Sequence, residues 1–180
     1  MSQPPVILTA LLDERTHRIA TDLRRRFFPP HRNYLDAHLT LAHQLPGDQV
    51  ARIRAHAAAV AGRREPIPVY VRELIDMGKG TGLRVSTAAD RNTAEALQAL
   101  RRALLAPFAA ALAPQDRQPY RRPHLTIQNK VPRETAQRLQ RRLQRLFVPW
   151  SGTVVGIGAY YYRGGPWELI DNYYFTAGTF

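Results

Sequence analysis

One stretch of this chain is written twice. Tyr120-Arg-Arg-Pro-His-Leu-Thr-Ile-Gln-Asn-Lys-Val-Pro132 lies over Tyr34-Leu-Asp-Ala-His-Leu-Thr-Leu-Ala-His-Gln-Leu-Pro46 without a gap. Tyr34, His38, Leu39, Thr40 and Pro46 meet Tyr120, His124, Leu125, Thr126 and Pro132, while Leu41 meets Ile127 and Leu45 meets Val131. A chain of 180 residues has room for one good core, or for two small lobes that share a cleft. A motif repeated once per half favours a duplicated architecture.

Leu, Thr and Ile suit a half-buried pleated surface, so each copy reads as a strand. Alternate side chains of a strand share a face. His38 and Thr40 therefore point one way, and Leu39 and Leu41 the other. His124 and Thr126 separate from Leu125 and Ile127 in the same manner. Two such faces opposed make a cleft with two imidazoles and two hydroxyls. One imidazole can take a proton while the other gives one, and the hydroxyls can hold phosphoryl oxygens. His43, five residues past His38, falls by strict alternation on the aliphatic face or beyond the strand end, and is not expected in the site.

The remaining elements follow in order. Val6–Leu12 is a short apolar run, hence a buried strand, and Asp13 caps a helix carrying Ile19, Ala20, Leu23 and Phe27 that Pro29-Pro30 stops. The first motif strand spans about Asp36 to Gln44. A helix opens at Gly47-Asp48, buries Val50, Ile53, Ala57 and Val60, and closes at Gly62. A strand follows between Pro66 and Met77, and the Gly78-Lys-Gly80 turn returns an antiparallel strand near Gly82–Thr87. Asn92 and Glu95 read as a cap and its capping-box partner for a helix holding Leu97, Leu100, Leu104, Leu105 and Phe108. After Pro132 a helix places Ala136, Leu139, Leu143, Leu146 and Phe147 inward, and Arg138, Arg141, Arg142 and Arg145 on an outer stripe. Two β-rich runs around Gly164-Gly165-Pro166 form a closing hairpin. Strand–helix–strand–helix–strand thus occurs twice, with one extra strand. The predicted class is α+β: a single domain of two pseudo-repeat halves, about 1–78 and 79–180, with two mainly antiparallel sheets, helices outside and a central cleft.

The paired motifs resemble those of the 2H phosphoesterase superfamily, which includes 2′-5′ RNA ligase-like proteins and RNA 2′,3′-cyclic phosphodiesterases. The resemblance rests on Pro123-His124-Leu125-Thr126-Ile127 and His38-Leu39-Thr40-Leu41, with Ala37 in place of a proline before the first histidine. It implies a bilobal, pseudo-twofold fold and metal-free hydrolysis of a 2′,3′-cyclic phosphate at an RNA end or on a nucleotide. It makes His38 the acid and His124 the base for ring opening, with Thr40 and Thr126 on the non-bridging oxygens. Imidazole fits both proton roles because its unperturbed pKa, about 6.5, lies near working pH.

Further substrate contacts are expected from Arg122, two residues before His124, with a solvated loop arginine as the equal alternative, and from Tyr34 and Tyr120, each four before its histidine. Tyr160 and Tyr162 alternate onto one face of a late strand and can stack a base. For each tyrosine, packing is the competing role. The net charge of +12 comes almost wholly from arginine, since Lys79 and Lys130 are the only lysines. That balance suits a polyanionic partner such as RNA, although an arginine-rich composition alone would produce it. With no cysteine, disulfides and thiolate metal sites are excluded. No His and carboxylate cluster has metal-ligand spacing, so neither metal nor other cofactor is expected. The first residues lack a basic leader and no apolar run is long enough to span a bilayer, which predicts a cytoplasmic protein without membrane contact; a monomer is expected, though no sequence feature fixes the oligomeric state. The rival functions are 2′-5′ RNA ligation, cleavage of 2′-5′ oligonucleotides, and RNA binding without turnover.

Overall fold

A computed structural model describes residues 3–86 and 95–176. Strand β1 (Val6–Leu12) leads to helix α1 (Glu14–Phe27), β2 (Leu39–Leu45), α2 (Val50–Ala61) and β3 (Ile67–Asp76). The second half repeats that order with β4 (Thr81–Ser86), α3 (Ala96–Leu105), β5 (His124–Gln128), α4 (Arg133–Gln144) and β6 (Trp150–Tyr162), and β7 (Trp167–Tyr174) ends it. Asp13 caps α1 by accepting from the Thr16 backbone N–H at 2.9 Å. The proposed Asn92 cap lies outside the described residues, and Glu95 makes no side-chain cap bond at the start of α3. Gly78, at φ 77°, makes the turn between β3 and β4 in the left-handed region that glycine enters without steric cost.

The strands join into one antiparallel sheet, in the order β1-β2-β5-β4-β3-β6-β7, and a further β1–β6 pairing closes it. Two separate sheets were expected from the sequence. They merge because β6 is 13 residues long and pairs along its length with β3, β1 and β7. On the opposite side the motif strands themselves meet, antiparallel, at Leu39 and Leu125. Helix α1 packs on β5, α4 on β3 and β4, α3 on β2 and α2, and α2 also on β6 and β7.

Alternation decides what the motif strands bury. Leu39, Leu41, Leu125 and Ile127 are each 0% exposed, in a core with Val6, Leu8, Ile53, Leu83, Leu100 and Ile157. Each such side chain contributes about 1.5–3 kcal/mol of transfer free energy. A one-residue slip would turn the aliphatics to water and the imidazoles inward, so this burial also fixes the histidine register. Leu146 departs from expectation: α4 ends at Gln144, and Leu146 lies beyond it at 66% exposure. The arginine stripe of α4 is exposed. Among the described residues no helix is long and apolar enough to cross a membrane.

Candidate active site

His38 stands one residue before β2, and His124 begins β5. Because Leu39 pairs antiparallel with Leu125, the register sets His38 against Thr126 and Thr40 against His124, so the two histidines stand diagonally on neighbouring strands. His38, Thr40, Tyr120, Arg122, His124 and Thr126 line one cavity of about 170 Å³. Its remaining walls are His43, Arg101, Gln115, Gln118, Pro119 and Arg121, and no carboxylate lines it among the described residues.

The two rings are held alike. His38 Nδ1 lies 2.9 Å from the Asp36 carbonyl oxygen, and His124 Nδ1 lies 2.7 Å from that of Arg122. A carbonyl only accepts, so each Nδ1 carries a proton and donates it, and each Nε2 is left for chemistry. Thr126 Oγ1 has only a weak contact to Met77 Sδ at 3.9 Å. That hydroxyl can turn to a ligand, as can the hydroxyl of Thr40 on the same cavity wall.

Burial of the half-buried His38 ring pushes its pKa down to about 4; the positive charge of Arg24 and the neighbouring His124 and His43 add to this, against the Asp36 carbonyl, which favours the proton. His38 is thus neutral at pH 7. The unfolded chain takes up this proton near pH 6.5 and the folded protein only near pH 4. Acidification across that window therefore favours unfolding, and below it the cost stays constant at no more than roughly 3 kcal/mol. The wild-type unfolding midpoint should fall more steeply from about pH 6.5 to about pH 4 than that of His38→Gln. Saturating phosphate should reduce the difference, because an anion beside the ring favours its charged form. Superimposable pH curves for the two proteins would show that His38 is not desolvated.

Two buried arginines position the motifs, and the sequence reading missed both. Arg24 of α1, 5% exposed, donates from Nε to Asn33 Oδ1 at 2.8 Å and to the Leu35 carbonyl at 2.9 Å, and from Nη1 to the Thr126 carbonyl at 2.8 Å. It ties the loop before the first histidine to the second motif strand. Arg101 of α3 does the reverse. Its Nε donates to the Leu41 carbonyl at 2.9 Å, and its Nη2 to the Asp116 carbonyl at 2.7 Å in the loop before the second motif. Helical spacing placed both residues but gave no sign that a charged side chain would turn inward.

The tyrosines divide. The half-buried Tyr120 donates its hydroxyl to the Thr40 carbonyl at 2.8 Å beneath the Arg101 guanidinium, and burial raises its pKa. Tyr34, its counterpart in the repeat, is 62% exposed and belongs to a second, larger cavity of about 640 Å³. His38, Asp36, Tyr160 and Trp167 also line that cavity. Trp167 stacks at a tilt 4.5 Å from the His38 ring and 5.7 Å from Tyr160, an aromatic wall that only the closing hairpin brings into place. Tyr162 lines neither cavity. It pairs with Trp167 at the hairpin tip, past the end of the aromatic wall.

His43 corrects the alternation argument. Thr9 pairs with Thr40 but Leu8 pairs with Ala42, so Leu41 is an extra residue in the ladder. A bulge of this kind inverts the pleat beyond it. Leu41 and Ala42 are consequently both buried, and His43 turns to the side of His38 and Thr40, into the cavity wall.

Residues 12–166 match the 2′-5′ RNA ligase superfamily. The chain belongs to that superfamily. Membership brings phosphoester chemistry as its general activity. Solved structures match the fold of this chain almost end to end. Escherichia coli LigT in apo form superposes with a TM-score of 0.62 at 15% identity, over 98% of this chain and 99% of that one. LigT complexed with 3′-AMP gives 0.65 at 16% identity, again over 98% and 99%. TT0787 of Thermus thermophilus gives 0.60 at 18% identity, over 94% of this chain and 97% of that one. At these identities the likeness is one of fold. No curated protein matches the sequence.

Proposed function

We propose that this superfamily member is a metal-independent phosphodiesterase that opens 2′,3′-cyclic phosphates at RNA ends or on nucleotides. Supporting it above all is one observation: two histidines with Nδ1 occupied by backbone carbonyls line one cavity with two threonine hydroxyls and, among the described residues, no carboxylate. One Nε2 takes a proton from water as its oxygen bonds to phosphorus. The bond from phosphorus to one ribose oxygen breaks, and the other Nε2 supplies that oxygen's proton, leaving a phosphomonoester. Thr40 and Thr126 donate to the non-bridging oxygens as charge builds on them. Burial disfavours the charged form of the His38 ring, which favours His38 as the base and His124 as the acid, the reverse of the roles that the resemblance implies.

The reacting phosphate sits in the small cavity and its nucleoside in the larger one, with His38 at the junction of the two. Tyr160 and Trp167 supply aromatic faces for a base, and Arg122 and Tyr120 stand at the phosphate end. The pseudo-repeat halves, about 1–78 and 79–180, work as one domain, each giving one histidine. The arginine stripe of α4 suits the backbone of a longer RNA.

The test is incubation with nucleoside 2′,3′-cyclic phosphates and cyclic-phosphate-ended RNA in EDTA, followed by product analysis. Phosphomonoester should form at a rate that chelation does not change. Absence of turnover on either substrate, or activity that chelation removes and a divalent metal restores, would overturn the proposal.

A further inference from the structure

The small cavity holds more anion-binding groups than one phosphate uses. The two motif histidines and threonines surround the reacting group. Beside them stand His43, Gln115, Gln118 and Arg121. His43 is built differently from the other two histidines. Its Nδ1 lies 2.9 Å from Asp116 Oδ1, and the same carboxylate accepts from the His43 backbone N–H at 3.0 and 2.9 Å and from that of Gln44 at 2.9 Å. The Asp116 side chain is wholly buried. Ring and backbone are thus gripped by one fixed group, and Nε2 of a half-exposed ring is the nitrogen left over. With Nδ1 taken by the carboxylate, Nε2 is the nitrogen that can donate to a phosphate oxygen.

We propose that His43 is a specificity-determining residue that takes a second phosphate of the substrate, the one on the 5′ oxygen of the reacting nucleoside. The position follows from ribose chemistry. The reacting phosphate occupies the 2′ and 3′ oxygens, so a second phosphate on the same sugar is carried at 5′. In an RNA that group is the diester to the preceding nucleotide. Gln118 and Arg121 line the same cavity and offer further donors. The inference deepens the proposed function and rests on its placing of the reacting phosphate.

Calorimetric titration with adenosine 2′-phosphate and adenosine 2′,5′-bisphosphate tests the subsite without turnover. The wild-type protein should bind the bisphosphate roughly tenfold to a hundredfold more tightly, the worth of one charge-assisted hydrogen bond. In His43→Gln the two affinities should converge to within about threefold, a loss of discrimination that a merely structural role for His43 would not produce. Equal affinities in the wild type, retained discrimination in His43→Gln, or binding of neither ligand would each overturn the inference. Hydrolysis of cyclic phosphate is scored separately. A protein that discriminates between the ligands yet opens no cyclic phosphate keeps the subsite and loses the proposed function, and the converse result does the opposite.

Discussion

His38→Ala and His124→Ala should each lower kcat/KM on a nucleoside 2′,3′-cyclic phosphate by about 10²–10⁴-fold, the usual worth of a positioned acid or base. The double variant should lose less than the product of the single losses, because each proton transfer is useful only when the other occurs. Near-wild-type turnover in either single variant would end the two-histidine mechanism. The leaving group separates the roles. An aryl phosphodiester of the same nucleoside expels a phenolate that needs no proton, so loss of the acid should cost little on it, while loss of the base should cost as much as before. With His38 as base, His38→Ala stays inactive on the aryl ester and His124→Ala regains most of its rate. The opposite pattern would restore the roles that the resemblance implies.

Local rules carried most of the fold. Apolar runs, caps and turn glycines placed β1, α1, α2, the β3–β4 hairpin and α4 close to their observed bounds, because these elements are decided by neighbours in sequence. Closure was not legible, since two expected sheets become one only when β2 pairs with β5 and β6 pairs with both β3 and β1. In the candidate site, the cavity that His38, Thr40, His124 and Thr126 share follows from alternation acting twice in one register. Alternation failed at His43, where one extra residue in the ladder with β1 reversed the pleat. No residue type near Leu41 announces that bulge. Its physical reason lies across the chain, where the buried Asp116 carboxylate collects the consecutive His43 and Gln44 N–H groups at the free edge of β2. Trp167 and the inward-turning Arg24 and Arg101 were hidden in the same way, by contacts between residues far apart in sequence.

Asp116 should prove the costliest single polar side chain to remove. Its carboxylate is fully buried, accepts from the His43 ring and from two backbone N–H groups, and faces Arg101 Nη2 at 3.6 Å. Burial by itself would raise its pKa, but the hydrogen bonds from the His43 ring and the His43 and Gln44 backbone outweigh it and hold the carboxyl below its ordinary value. Asp116→Ala strips those donors of their acceptor and leaves the Arg101 guanidinium buried without its counter-charge. Breaking a buried pair from one side costs about 3–5 kcal/mol, a large part of the roughly 5–15 kcal/mol that holds a domain together. Asp116→Asn keeps the volume and one acceptor oxygen, and should recover part of the loss. Urea unfolding at pH 7 measures both, with the midpoint falling and the slope unchanged. A folded carboxyl below its unfolded value stabilises the protein above the unfolded pKa, about 3.9, and that stability drains away as pH falls through the folded value. The wild-type advantage over Asp116→Asn should therefore be full at pH 7 and shrink only below about pH 4. A loss under about 1 kcal/mol in Asp116→Ala, or an advantage over Asp116→Asn that does not shrink in acid, would show that the carboxylate does not hold the motif strand to the loop before His124.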